Sequence, residues 1–259
     1  MQVASNYFIR CLHTNAKHGI IGRVSTFLSS STESSGSVCS HVVQIGDPVL
    51  RKVAKPVDVD RLSSREVQNI VNQMRQILKK YDAYGISAPQ LGVPLCMFAI
   101  QVTKRQLNQQ DDETIKLAGI EETPFKLFIN PEIKILGNET LVEREGCCSM
   151  NGYSAKVTRH KSVQISGYNE FGEQVTWKAK DWNARIVQHE MDHLNGILFT
   201  DKMYLPESLE FKYWKVVNTK NGEFRLHFGG LPGWKQYYYT IPILMTIPIV
   251  IIFNILSDL

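Results

Sequence analysis

Several features are missing from this 259-residue chain, and each absence excludes a class of protein. It has no strong excess of one charge: 29 Lys and Arg against 25 Asp and Glu leave a net charge of +4, without a dominant basic block. A general phosphate-backbone binder needs such a block, so no direct nucleic-acid binding is expected. Cysteine is scarce, with five residues at Cys11, Cys39, Cys96, Cys147 and Cys148. An odd number without repeating spacing, two of them neighbours, is no disulfide framework and reads as a thiol-permissive, non-secreted compartment. There is no internal repeat and no glycine-rich phosphate loop. What is present is a 43% hydrophobic, 21% charged composition, enough apolar residue to bury at least one sizeable core.

Both ends are biased. Met1 to Thr32 lacks Asp and Glu, while Arg10, Lys17 and Arg23 are scattered among serines and threonines. That pattern resembles a mitochondrial transit peptide, with residues 29–40 as the linker into the folded part. A merely unstructured N-terminus is the plainer alternative. At the other end Gln236 to Ser257 carries no charge, and Ile241 to Leu256 is nearly all apolar. Its 16 residues fall short of the about 20 that span a bilayer, and Pro242, Pro248 and Asn254 oppose a continuous helix. Membrane attachment through this tail and packing onto the globular part are both open.

Between the ends, Val67, Ile70, Val71, Met74, Ile77, Leu78 and Tyr81 form one apolar stripe at helical spacing, predicted to start at a capping box of Ser63 and Glu66. Strands are predicted over 95–102, 126–129, 132–136, 162–168 and 174–178, the last two joined by a turn at 169–172. The polar stretch 103–122 reads as a loop. A second helix is predicted over 181–194, ending at Asn195-Gly196. This implies an α+β fold: a single catalytic domain over residues 42–218 with antiparallel strands around a central metal-binding helix, between a leader of residues 1–40 and an extension of residues 219–259.

The second helix carries the chemistry. His189, Glu190 and His193 form His-Glu-x-x-His, and residues four apart lie about 40° from eclipsed, so both imidazoles leave one face a turn apart. They can share a metal ion. Glu190 projects to the side, suited to proton transfer rather than ligation. A catalytic metal needs a third protein ligand. Cys147, in Glu145-Gly146-Cys147-Cys148-Ser149, is the best candidate, although a single cysteine also serves as a small buried hydrophobe. In Tyr84-Gly85-Ile86-Ser87-Ala88-Pro89-Gln90-Leu91-Gly92, small residues let backbone approach a ligand and Gln90 offers an amide donor.

In this order the three segments resemble peptide deformylase, specifically its mitochondrial type, over about residues 43–218. The family's Gln-His-Glu-x-Asp-His-Leu-x-Gly is matched in full by Gln188 to Gly196. The resemblance implies Cys147, His189 and His193 as metal ligands and Glu190 as general base and then acid. Gln90 and the backbone N–H of Cys148 would hold the oxyanion. It implies one divalent ion, Fe2+ in the first place, with Zn2+, Co2+ or Ni2+ compatible with the same ligands. The implied substrate is the N-formylmethionyl end of newly made mitochondrial proteins, met in the matrix near the mitochondrial ribosome. It would lie extended beside Gly85 and Gly146, with Ile186 lining the methionine pocket. Ala83, Ser87 and Cys148 depart from the commonest motif, Cys148 standing where bacterial-type members usually carry leucine. A zinc peptidase would share only the helix motif, and a degenerate homologue would bind nascent chains without turnover.

Overall fold

The computed structural model describes residues 40–219 and Gly222. The expected transit peptide and apolar tail lie outside these residues, and no described helix is long and apolar enough to cross a membrane. Among the described residues, those up to Glu210 belong to one compact unit, and those from Phe211, with the helix Trp214–Thr219, belong to another.

The larger unit is the expected α+β arrangement of helices and antiparallel strands. Helix α1, Arg65–Tyr81, buries Val67, Ile70, Val71, Met74, Ile77 and Leu78, the stripe its spacing predicts. Its N-cap is Ser64, whose Oγ accepts from the Val67 N–H at 3.3 Å, so the expected capping box of Ser63 and Glu66 is not formed and the helix starts one residue later.

A five-stranded antiparallel sheet is ordered β1-β2-β3-β6-β7: β1 Gly85–Ser87, β2 Met97–Val102, β3 Thr123–Ile135, β6 Ser162–Tyr168 and β7 Gln174–Lys180. In β2 and β3 successive side chains point to opposite faces. Met97, Ala99, Leu127 and Ile129 pack with α1, whereas Phe98, Ile100 and Phe128 pack with Ala184, Val187, Met191 and Leu194 of the second long helix. Each fully buried side chain of this size contributes about 1.5–3 kcal/mol, so the covered faces hold the sheet between the helices.

A separate hairpin pairs β4, Thr140–Gly146, with β5, Tyr153–His160. β4 is an edge strand. The stretch expected as loop contains two short helices, α2 Lys104–Leu107 and α3 Asp112–Ala118. Thr103 and Gln106 form a capping box for the first, and Asp111 caps the second. The long helix α4, Asp181–Leu194, has the predicted bounds and contacts both sheets. Cys147 and Cys148 are free thiols, and Cys96 is disulfide-bonded.

Candidate functional site

Three chain segments meet on one side of α4. Its apolar residues 184, 187, 191 and 194 face the sheet, which turns His189 and His193 toward the hairpin. The imidazole centroids lie 5.0 Å apart. The turn after β4 brings Cys147 Sγ to 3.2 Å from His193 Nε2, and one ligand atom from each of Cys147, His189 and His193 lies within 4.8 Å of the others. Burial would raise the Cys147 thiol, but the charges of His193 and His189 and their hydrogen bonds hold it well below its ordinary value. The favoured thiolate is the ligating form. One thiolate and two imidazoles suit a divalent ion of intermediate softness, so the residues fit a metal centre.

His189 is oriented from behind. Its Nδ1 lies 3.2 Å from Glu145 Oε2, which leaves Nε2 for a metal. Glu145 accepts from Arg159 Nε at 2.9 Å and Nη2 at 2.8 Å, while Arg159 Nη1 donates to Asp192 at 2.5 Å. Lys202 completes the chain on Asp192. Burial alone would raise the Glu145 carboxyl; the hydrogen bonds from Arg159 and then His189 outweigh it and hold it at about 2.

Glu190 is fully enclosed beside the ligands, and its Oε2 has no hydrogen-bond partner. Burial, with the Cys147 charge adding to it, pushes its carboxyl up to about 7 despite the opposing pull of His189 and His193. A Cβ on Gly85 would lie 2.4 Å from Glu190 Oε1 and 2.9 Å from Ile186 Cγ2. Gly85 therefore sits against Glu190 and Ile186 because it has no side chain. Gly85→Ala should displace the carboxylate and lower kcat by about 10²-fold, with the circular dichroism of the fold retained. Activity within twofold would show that this glycine does not set the position of Glu190.

Gln90 is fixed by its acceptor end. Its Oε1 accepts from Ser87 N–H at 2.9 Å and Ser87 Oγ at 3.0 Å, which aims Nε2 at Cys147 Sγ, 3.4 Å away. Among the described residues no acceptor takes the Cys148 backbone N–H. The Cys148 side chain packs against the α1 core, and burial, then the Cys147 and Glu190 charges, push its thiol up to about 12. It stays protonated, outside the ligand cluster. Gly146 closes β4 immediately before Cys147.

The structure thus brings together Cys147, His189, His193, Glu190, Gln90, Cys148, Gly85, Gly146 and Ile186. Sequence reasoning placed Glu145 in the segment that leads into Cys147 but not in contact with His189. It also passed over Arg185 and Trp182, which continue the site along α4, where Trp182 meets Tyr84. Their signal was the helical spacing of residues 182, 185 and 189.

Comparison with known proteins gives a consistent result. The family model described as polypeptide deformylase matches residues 39–208. The mitochondrial peptide deformylase of Homo sapiens is 42% identical over 181 residues, 69% of this chain and 73% of that protein. The chloroplastic/mitochondrial peptide deformylase 1A of Arabidopsis thaliana is 35% identical over 62% of this chain and 60% of that protein. The Met-Ala-Ser-bound class I type b peptide deformylase of Acinetobacter baumannii superposes with a TM-score of 0.55 at 28% identity, covering 62% of this chain and 96% of its own.

Proposed function

The chain belongs to the polypeptide deformylase family and is an enzyme of that class, and we propose that it removes the N-formyl group from the initiator methionine of newly made mitochondrial proteins, releasing formate. The observation that carries this reading is the convergence of Cys147, His189 and His193 within 4.8 Å of one another, with Glu190 and the Gln90 amide beside them.

Cys147 Sγ and one imidazole nitrogen each of His189 and His193 would hold a divalent ion, Fe2+ in the first place, with Zn2+, Co2+ and Ni2+ compatible. When bound, such an ion supplies a Lewis acid that brings the pKa of water toward neutrality. Glu190 takes the proton as the oxygen attacks the formyl carbon, then hands it to the leaving methionine nitrogen. A carboxyl lifted to about 7 can do both near neutral pH. Gln90 Nε2 and the Cys148 N–H are the donors for the negative charge that grows on the former carbonyl oxygen. A donor in that role commonly contributes about 10²- to 10³-fold to kcat. Ser87 prevents the Gln90 amide from turning, so the donor is in place before substrate arrives. The peptide lies extended between Gly85 and the edge strand β4 at Gly146, with Ile186 against the methionine side chain.

The likeness to a mitochondrial relative and the acid-free N-terminus support import into mitochondria, with residues 1–40 as leader, 42–218 as catalytic domain and 219–259 as extension. In the matrix the substrate emerges from the mitochondrial ribosome, and the apolar tail offers a membrane attachment.

The test is formate release from formyl-Met-Ala-Ser by anaerobically prepared, Fe2+-loaded protein. Cleavage of internal amide bonds would make it a peptidase, and formate release no faster than the uncatalysed rate with every compatible metal would sink the reading. Cys147→Ala should lower the metal content well below one ion per chain; full retention would remove Cys147 from the ligand set. Formate-releasing activity should move from mitochondria to cytosol when residues 1–40 are deleted, and unchanged import would exclude the leader.

A further inference from the structure

The metal-facing stripe of α4 does not stop at the histidines. Trp182, Arg185, Ile186, His189 and His193 follow one another at spacings of three, one, three and four, a continuous face of one helix. Its far end carries a cation. Arg185 is buried at 8% exposure, and its guanidinium centre lies 4.9 Å from the Trp182 ring. Trp182 in turn meets Tyr84, the neighbour of Gly85, edge-on at 5.2 Å.

This guanidinium has few partners. Nη2 donates to the Arg144 carbonyl at 2.6 Å, but Nε has no acceptor, and the nearby Trp182 Nε1 has none either. Among the described residues no carboxylate lies within ion-pair distance of Arg185, whereas the other buried guanidinium, Arg159, has Glu145 and Asp192. Burial lowers the Arg185 pKa, and the more distant Glu145 and Glu143 only partly oppose this. A buried cation short of acceptors is costly unless a ligand supplies one.

The register of the hairpin shows where that ligand would lie. In an antiparallel pair the N–H and C=O of a residue point the same way, and successive residues alternate. Arg144 is opposite Lys156. Lys156 C=O accepts from Tyr204 N–H at 2.8 Å and its N–H donates to Ser208 Oγ at 3.2 Å, both away from β4, while Arg144 C=O faces Arg185. Arg144 therefore points its polar groups at the open edge, as do Val142 and Gly146 by the same alternation. On the deformylase reading, a peptide lying antiparallel to β4 with its methionine opposite Gly146 brings its third residue opposite Arg144, about 7 Å further along.

We infer that Arg185 is a specificity-determining residue that donates hydrogen bonds to an acceptor oxygen on the third residue of the substrate, a side-chain carboxylate above all. The inference rests on the deformylase reading for the placement of the peptide. The guanidinium with no carboxylate beside it and no acceptor for Nε, set against the open edge of β4, carries the rest.

The experiment compares Met-Ala-Glu and Met-Ala-Lys, both C-terminally amidated to remove the terminal carboxylate. Each is titrated into the metal-loaded protein and followed by tryptophan fluorescence. Their N-formylated forms are followed by formate release. Met-Ala-Glu amide should bind about tenfold more tightly, the effect of one charge-assisted hydrogen bond, and the formylated pair should differ in KM rather than kcat. Arg185→Met should bring the ratio within twofold, and Arg185→Lys should keep the same order with a smaller ratio. Equal affinity of the two peptides for the unmodified protein overturns the inference, as does a ratio that survives in Arg185→Met. Equal weakening of every peptide, including formyl-Met amide without a third residue, would assign Arg185 to packing alone. Discrimination in binding that Arg185→Met abolishes, without formate release from either peptide, would sink the deformylase reading while keeping Arg185 as the residue that reads the third side chain.

Discussion

Glu190→Ala is expected to lower kcat by about 10³-fold while the protein keeps one divalent ion per chain. The carboxylate lies against Gly85, but it is not among the atoms of the Cys147, His189 and His193 cluster. Its removal should take away the proton acceptor and leave the ion in place. Glu190→Gln keeps the shape and removes the basicity, so it should match the alanine variant in kcat. The measurement is formate release alongside metal analysis of the same sample. A loss of tenfold or less would contradict the assigned role, and loss of the ion together with activity would make Glu190 part of metal retention.

Arg159→Met should destabilise the unit by about 3–5 kcal/mol, because it leaves the Glu145 and Asp192 carboxylates buried without their guanidinium. Urea unfolding of the metal-loaded protein measures it. The double variant Arg159→Met/Glu145→Gln should lose less than the two single losses added together, since the amide needs no counter-charge and can still accept from His189. The pair also sets a pH dependence. The folded-state pKa of Glu145, about 2, lies below its unfolded value, so the stabilisation is complete above the ordinary carboxylate range. It disappears as pH falls through about 2. A cost below 1 kcal/mol, or a stability in Arg159→Met with the same acid dependence as the parent, would refute this account.

How much of this the sequence disclosed depended on whether an element's burial was periodic. α1 and α4 each bury a stripe against the sheet, and both were legible almost to the residue. β3 reads as two strands because Asn130 and Pro131 interrupt it. Asn130 has φ 49°, the register shifts there, and its side chain accepts from Val57 N–H at 2.8 Å and donates to Val57 C=O at 2.7 Å. The break is a long-range anchor invisible in local pattern. β4 escaped notice because Thr140 to Gly146 is polar and mostly exposed, with Glu145 its one buried side chain. The ligands and Glu190 were readable because helix spacing and three ordered motifs define them. Arg185 was not, since its meaning depends on which way β4 turns its polar groups, and that strand had not been recognised.

Gln90 follows the first strand of the larger sheet, Cys147 lies in the turn of the hairpin, and both histidines ride on the helix between them. No single substructure owns the reaction chemistry. An isolated helix, or a fragment keeping either sheet alone, would retain its share of the side chains and none of the reactivity. Loss of activity on gentle heating would accordingly report separation of the two sheets, a step that secondary-structure spectroscopy alone would overlook.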